Sequence, residues 1–249
     1  MKIVTWNCNG ALRKKFAKLD ELEADILIIQ ECENPSESTE IYQNWAGNYL
    51  WVGENKNKGI GVFPKNGHAV EQLNWNDEFK ILGIKSKSSS LSWKTGSLRL
   101  FLPFTIDQTI NVLGVWTKGK ESEIFGYMGQ FWKYLQIHKK DLSKEKQIIL
   151  GDFNSNKIWD KPDRWWSHSD VVDELNEIGL NSLYHHYFRE EQGLETNPTF
   201  FLQRNESKPY HIDYAFVSNE FLDSKIKIGQ KEMWLALSDH LPIEIELYS

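Results

Sequence analysis

The segment Ile148-Ile149-Leu150-Gly151-Asp152-Phe153-Asn154 decides how the rest of the chain is interpreted. Its short apolar run predicts a buried strand, and polar side chains follow where that strand leaves the core. Asp152 and Asn154 are two apart, so they project on the same side if strand geometry persists. A carboxylate beside an amide can orient and deprotonate a water molecule, because the amide does not titrate. In isolation, however, Gly-Asp-x-Asn is more often a turn after a strand.

Four other apolar runs also have an ionisable or amide side chain at one end or beside them. These are Asn7 after residues 3–6, Glu31 after 26–30, Asp213 beside Ile212, and Asp239-His240 before 241–243. Carboxylates gathered at strand ends repel one another and suffer desolvation unless a cation joins them. A hard divalent ion is the usual partner of an all-oxygen cluster. The pattern therefore predicts metal-assisted chemistry, with a phosphate ester as the substrate.

The segment Ser238-Asp239-His240 suggests a catalytic triad, but its spacing excludes one. Neighbouring residues in a strand point to opposite faces, and the chain contains no Gly-x-Ser-x-Gly elbow. Asp239 is better interpreted as a metal-binding or structural carboxylate. His240 is interpreted as a separate acid that needs a partner to fix its tautomer, and Asp213 is the expected partner. A zinc site is not expected, because no cysteine or His-x-x-x-His spacing supports it.

Composition indicates an ordinary globular protein of 249 residues, 40% hydrophobic and 26% charged. We expect one domain over residues 1–249, because no linker or repeat divides the chain. No apolar run approaches the roughly 18 residues of a membrane span, and the first strand begins too early for a signal peptide. We therefore expect a cytoplasmic monomer with no membrane contact. Cys8 and Cys32 are expected to be free buried thiols, with Cys8 facing away from the side that Asn7 faces.

The net charge of −6 is a weak argument against nucleic acid as a substrate. A hydrolase that gathers carboxylates for a metal has a local negative excess that the ion offsets. Basic residues cluster near several of the site strands, with Arg13, Lys118 and Arg164 among them. For each cluster alone, a solvated face is the simpler interpretation.

The order of predicted elements indicates two packed sheets. Strands are predicted over residues 2–7, 26–30, 49–52, 59–63, 80–84, 98–104, 110–116, 147–152, 199–202, 211–217 and 243–247. Helices are predicted from Gly10 to Leu22 and over 41–45, 122–139 and 170–178. The strands between 49 and 116 resemble a meander. Because helices come singly between groups of strands, we expect an α/β (α+β) fold of two sheets with helices outside.

The order Asn7, Glu31, Asp152-x-Asn154, Asp213, Asp239-His240 resembles the endonuclease/exonuclease/phosphatase family, which includes exonuclease III and deoxyribonuclease I. The resemblance covers the whole chain and implies a four-layer α/β/β/α sandwich of two mixed sheets. It also implies that Glu31, helped by Asn7 and Asp239, holds Mg²⁺ or Mn²⁺. Asp152 would activate the attacking water, Asn154 would position it or the phosphate, and His240, oriented by Asp213, would contact the phosphoryl oxygens.

The chain departs from this family at the end of the strand before the long helix. Many members have a Tyr or His there, whereas this chain has Trp116 and Lys118, either of which is a candidate phosphate or base contact. Further candidate substrate contacts are Arg13, Arg164, Trp165 and Phe200. With 11 Trp in the chain, packing is the simpler role for the pair Trp165-Trp166.

The first motif, Trp6-Asn7-Cys8-Asn9-Gly10, is more similar to the nuclease branch of the family than to its lipid and inositol phosphatases. We therefore expect a nuclease acting on DNA, or less favourably RNA, including abasic-site or exonuclease III-like cleavage. The alternative is a phosphatase or phosphodiesterase for a small or lipid phosphate. A binding module without activity is the weakest hypothesis, because every matching site residue is intact.

Overall fold

The computed structural model describes residues 1–83, 91–119 and 123–248. Its strands are β1 (Lys2–Asn7), β2 (Ile26–Cys32), β3 (Leu50–Asn55), β4 (Lys58–Pro64), β5 (Val70–Gln72), β6 (Glu78–Lys80), β7 (Ser92–Lys94), β8 (Phe101–Ile106), β9 (Ile110–Trp116), β10 (Gln147–Asp152), β11 (Leu180–Ser182), β12 (Phe200–Phe201), β13 (Pro209–Tyr210), β14 (Asp213–Ser218), β15 (Lys225–Ile228) and β16 (Ile243–Glu246). Its α-helices are α1 (Phe16–Asp20), α2 (Glu40–Ala46), α3 (Met128–Leu142), α4 (His168–Glu177), α5 (Leu183–Phe188) and α6 (Lys231–Trp234).

Twelve of these strands form two six-stranded sheets of mixed direction. The first sheet has the order β15-β16-β1-β2-β4-β3 and the second the order β11-β14-β10-β9-β8-β5. The pairs β1–β2 and β9–β10 are parallel, and their neighbours are antiparallel. In the first sheet the parallel strands β1 and β2 carry Asn7 and Glu31 at or near their C-terminal ends. In the second sheet the parallel strands β9 and β10 end at Trp116 and Asp152, so each parallel pair carries two predicted site residues.

Three hydrophobic cores show the layering. The core between the sheets joins Ile28 of the first sheet to Leu150 of the second. A second core packs the other face of the second sheet against α3 and α4, and a third packs the first sheet against α1, α2 and α6. The predicted four-layer α/β/β/α arrangement is confirmed. Among the described residues, no helix is both long and apolar enough to cross a bilayer.

Several boundaries differ from the sequence predictions. The long helix, predicted over 122–139, begins at Met128, and Ile124 lies outside it and is exposed; residue 122 itself is outside the described residues. The helix predicted from Gly10 is a 3₁₀ turn followed by the short α1. The predicted strand over 80–84 is wrong for most of its length: β6 ends at Lys80, residues 81–83 are not in a strand, and residue 84 is outside the described residues.

The predicted meander between residues 49 and 116 is wrong. Strands β3 and β4 belong to the first sheet, whereas β8 and β9 belong to the second. Each pair alone is antiparallel and adjacent in sequence, as in a meander. Local alternation fixes such pairs, but it does not determine which sheet a pair joins, because that depends on long-range packing.

Candidate active site

Strand alternation directs the central polar residues into the gap between the sheets. In β10, Ile148 and Leu150 belong to the core between the sheets, whereas Ile149 packs toward the helices, as does Phe153 directly after the strand. Asp152 therefore continues the row that faces the other sheet. Asn7 follows Ile3 along the same face of β1, and Asp213 precedes Ala215 on the same face of β14. The three side chains meet at one end of the gap.

Cys8 occupies the opposite face. Cys8 packs in the core between the first sheet and its helices, together with Cys32. Both cysteines are free and buried, as predicted. Burial raises the pKa of the Cys8 thiol to about 12, so it remains protonated at neutral pH.

Glu31 reaches the gap through a β-bulge. The register of β2 against β4 shifts between Gln30 and Cys32, and Glu31 has a positive φ of 61°. Strict alternation would have turned Glu31 toward the helices. The extra residue of the bulge instead leaves Gln30 and Glu31 on the side of the gap and returns Cys32 to the helix side.

Asn7 connects the two sheets at this point. Its Nδ2 lies 2.8 Å from Asp152 Oδ2 and 3.4 Å from Glu31 Oε1. Its Oδ1 accepts a hydrogen bond from the backbone N–H of Asn9 at 2.9 Å. The amide nitrogen therefore faces the carboxylates, and Asn7 would have to turn its amide over to serve as the predicted metal ligand.

The turn after β10 holds Asn154 against Asp152. The strand ends at Asp152, and Asn154 takes a positive φ of 46°, so the extended geometry assumed from the sequence does not persist. The two side chains meet nevertheless: Asn154 Nδ2 donates to Asp152 Oδ2 at 2.8 Å and its backbone N–H to Oδ1 at 2.8 Å. Gly151 has a φ of 140°, and a Cβ there would lie 2.0 Å from the Val115 carbonyl oxygen. Glycine is therefore required directly before Asp152.

His240 lies between two buried carboxylates. Its Nδ1 is 2.9 Å from Asp213 Oδ2, and its Nε2 is 3.9 Å from Asp152 Oδ2. Asp213 thus orients the imidazole, as the sequence predicted. Ser238 takes no part in a triad, because its Oγ donates to the Asn7 carbonyl oxygen at 2.7 Å and accepts from the His240 backbone N–H.

The electrostatics of this group favour a protonated histidine. Burial lowers the pKa of His240, but the facing carboxylates of Asp213 and Asp152 raise it more, to about 9. Burial raises the pKa of Asp152, the positive charge of His240 opposes that rise, and the charge of Asp213 adds to it. A protonated His240 can act as a hydrogen-bond donor and as a counter-charge to both carboxylates.

Glu31 has its own counter-charge. Its Oε2 forms an ion pair with the ammonium group of Lys58, which is contributed by the first residue of β4. Sequence analysis did not assign Lys58 to the site, since its spacing from Glu31 carries no motif. The β2–β4 pairing of Cys32 with Gly59, which places Lys58 beside the bulge, could only be found in the folded chain.

These residues fit a hard divalent ion at Glu31. Asp152, Asp213 and His240 also lie close enough together to hold a metal, with ligand atoms within 4.8 Å of one another. In that trio, however, the protonated imidazole offsets part of the negative charge and has no ring nitrogen free as a ligand. Glu31 and Asp152 contact the same Asn7 nitrogen, and Glu31 already attracts a cation, so the oxygen-rich position beside them suits Mg²⁺ or Mn²⁺ better.

Asp239 lies at the outer rim of the same group. Its Oδ1 accepts a hydrogen bond from Asn9 Nδ2 at 2.9 Å. Asn9, which sequence analysis did not single out as a site residue, therefore links Asp239 to Asn7 through its side chain and backbone.

The predicted substrate contacts fall into two groups. Arg13 is paired with the buried Glu33, and Lys118 with Glu54 at 3.0 Å. The prediction that Trp116 contacts the substrate is wrong. Only 3% of this residue is exposed, and it belongs to the core between the sheets. Lys118 Nζ lies 4.7 Å from its ring centroid. Trp116 therefore offers no free face to a base.

The second group of predicted contacts remains accessible. Phe200 lies 4.6 Å from the His240 ring, measured between centroids. Arg164 lines a cleft of about 330 Å³ that also includes Asn154 and Lys161. Trp165 is 61% exposed, whereas Trp166 is buried and donates from Nε1 to the Ile124 carbonyl at 3.0 Å. Packing, the role expected for both tryptophans, is therefore found for Trp166 alone, and the exposed Trp165 remains a candidate substrate contact.

Comparisons with known proteins agree with this fold. No model of a protein family matches the chain, and no curated protein matches it either. Among solved structures, the chain is similar to the 3′ phosphatase NExo from Neisseria bound to a product DNA hairpin, with 17% identity, full coverage of both chains and a TM-score of 0.69. It is also similar to an AP endonuclease from Archaeoglobus fulgidus, with 16% identity, full coverage of both chains and a TM-score of 0.67.

A third similar structure is the endonuclease domain of TRAS1, a telomere-specific non-LTR retrotransposon. It has 16% identity and a TM-score of 0.62, with 100% of this chain and 98% of that chain covered. At identities this low, the structural similarity establishes the fold alone. The chain has the endonuclease/exonuclease/phosphatase fold that the resemblance predicted.

Proposed function

We propose that the protein is a divalent-metal-dependent phosphodiesterase that hydrolyses DNA. The observation that carries this proposal is the position of Asn7. Its amide contacts Glu31, which is in the same sheet, and Asp152, which is in the other sheet. The contact brings a candidate ion ligand and a candidate base to the same end of the gap between the sheets, with the His240 imidazole beside them.

Each side chain has a distinct role in the proposed reaction. Glu31 and Asp152 would hold Mg²⁺ or Mn²⁺, which supplies Lewis acidity toward a phosphoryl oxygen. Asp152 and Asn154 hold the attacking water, with Asp152 accepting its proton. His240 donates a hydrogen bond to the charge that builds up on the phosphoryl oxygens, and Asp213 keeps its Nδ1 protonated. Asp239 and Asn9 support the rim of the site.

The surroundings of the site support a nucleic acid rather than a small phosphate ester. The Phe200 ring lies 4.6 Å from the His240 ring, between centroids. The exposed Trp165 directly follows Arg164, which lines a cleft together with Lys161 and Asn154. Aromatic rings stack on bases while basic groups contact phosphates. A solved structure of the same fold is described as bound to a DNA hairpin, which favours DNA over RNA.

The decisive experiment compares hydrolysis of plasmid DNA, an abasic oligonucleotide, a single-stranded RNA and an inositol phosphate, with Mg²⁺ and after chelation. We expect Mg²⁺-dependent cleavage of DNA and a loss of at least about 10³-fold with Asp152→Ala, because the base and an ion ligand are both removed. Asp223→Ala is the matched control, since Asp223 is an exposed aspartate in the turn between β14 and β15. Unchanged hydrolysis in Asp152→Ala would refute the mechanism, and preference for the inositol phosphate would refute the substrate.

A further inference from the structure

Lys58 is a cation already bound to the carboxylate proposed to hold the metal. Its ammonium group pairs with Glu31 Oε2, while Glu31 Oε1 faces Asn7. The Glu31 side chain is 18% exposed and that of Lys58 is 47% exposed. The pair therefore lies at the solvent-exposed edge of the site, where the lysine can exchange its partner for solvent.

The backbone places Lys58 at this position. Lys58 begins β4 directly after the short β3–β4 turn, and the next residue, Gly59, pairs with Cys32 across the bulge. The bulge turns Glu31 toward the gap, and the neighbouring strand brings Lys58 to meet it. Gly10 lies beside the lysine stem, since a Cβ built at Gly10 would be in ordinary van der Waals contact with Lys58 Cε at 4.0 Å.

We propose that Lys58 is a resident counter-cation that the divalent ion must displace from Glu31, so that Lys58 sets the ion affinity of the site. This inference rests on the metal-dependent function proposed above. An ammonium group and a divalent ion cannot share one carboxylate at close range without strong repulsion. In the ion-free protein Lys58 stabilises the charge of Glu31, and that stabilisation is lost when the ion binds.

Displacement gives the lysine a second role. Because its side chain is about half exposed, the ammonium group can turn outward into solvent at the edge of the site, where an anionic substrate would approach. A phosphate group there gives Lys58 a new partner. Ion binding frees the ammonium group from Glu31, and phosphate binding gives that group a new partner. Each event therefore strengthens the other.

The test measures Mn²⁺ affinity by calorimetry, or by the electron paramagnetic resonance signal of free Mn²⁺, without any substrate. Lys58→Met keeps an unbranched apolar stem of four atoms, as long as the lysine stem up to Cε, and removes the charged ammonium group. We expect this variant to bind Mn²⁺ about tenfold more tightly than the unmodified protein, since the competing cation is gone. Lys56→Met is the matched control, because Lys56 is an exposed lysine in the same hairpin, and its affinity should stay within about twofold. Lys58→Arg, which retains the charge, should bind like the unmodified protein.

A double-mutant cycle separates competition at Glu31 from a general effect of charge. With Glu31→Gln in place, Lys58→Met should change Mn²⁺ affinity by less than about twofold, because the shared carboxylate has gone. Unchanged or weaker binding in Lys58→Met, or equal tightening with and without Glu31, would overturn the inference. Mn²⁺ binding that responds as expected in a protein that cleaves no phosphodiester would refute the proposed function and leave the competition intact.

Discussion

Asp152 and Asp213 are directly opposed across the antiparallel pair β10–β14, and His240 lies between their carboxylates. Like charges at paired positions destabilise a sheet, and burial increases the cost. The protonated imidazole offsets that repulsion, so one arrangement serves both stability and chemistry.

Removing the imidazole should therefore destabilise the protein. We expect His240→Gln to lower the free energy of unfolding by about 3 kcal/mol at pH 7, because it leaves two facing buried carboxylates without a cation. Urea unfolding measures the change. Adding Asp213→Asn to this variant should restore part of the loss, whereas a further loss equal to that of Asp213→Asn alone would show that the two groups are not coupled.

Asn7 separates Glu31 from Asp152 and can be changed to a carboxylate of the same shape. Asn7→Asp should lower the ion-free stability by about 2 kcal/mol, because a third carboxylate replaces a donor to the other two. Mg²⁺ should recover this loss and raise the melting temperature of the variant more than that of the unmodified protein. Thermal unfolding with and without Mg²⁺ gives the comparison. Asn205→Asp, at an exposed turn, is the control and should show no such Mg²⁺ dependence.

The adjacent tryptophans should separate stability from substrate binding. Trp166→Ala should cost about 3–5 kcal/mol of stability, because a buried indole and its hydrogen bond are lost. Trp165→Ala should leave stability within about 0.5 kcal/mol and weaken DNA binding by about 1–3 kcal/mol if its ring stacks on a base. Unfolding curves and fluorescence-anisotropy titrations would show the contrast, and unchanged DNA affinity in Trp165→Ala would remove it from the substrate surface.

His211 should make stability depend on pH. Burial lowers the pKa of His211 to about 4, and its buried Nε2 has no hydrogen-bond partner among the residues that the structure describes. Between about pH 6.5 and pH 4 the unfolded chain binds a proton at this residue and the folded protein does not. Stability should therefore fall as the pH drops through that window, by at most roughly 3 kcal/mol from this group.

The check is urea unfolding at a series of pH values. His211→Asn preserves a donor toward the Asn197 carbonyl, which accepts from the His211 ring at 2.8 Å. The variant should show a shallower fall between pH 6.5 and pH 4. An equal slope in both proteins would show that other groups cause the dependence.

The sequence predicted the main strands and the two-sheet class because these depend on local patterns. The runs at 2–7, 26–30 and 147–152 are apolar on both faces, which is typical of strands covered on each side. The start of α3 was misplaced because Ile124 continues the apolar period, although the chain leaves it exposed. The short strands β11 and β15 were not predicted, because β11 has three residues and the alternation of Lys and Ile in β15 covers only four. Both are paired with neighbouring strands of their sheets.

Sequence order alone determined the identity of the central polar residues and the face on which Asn7, Asp152 and Asp213 lie, because side chains alternate strictly along a strand. Tertiary structure decided which strands stand opposite one another. It turned Glu31 into the gap through a bulge, brought Lys58 to it from the adjacent strand, and buried Trp116 beneath Lys118. These outcomes follow from register and sheet packing, which join residues far apart in the chain and leave no local pattern in the sequence.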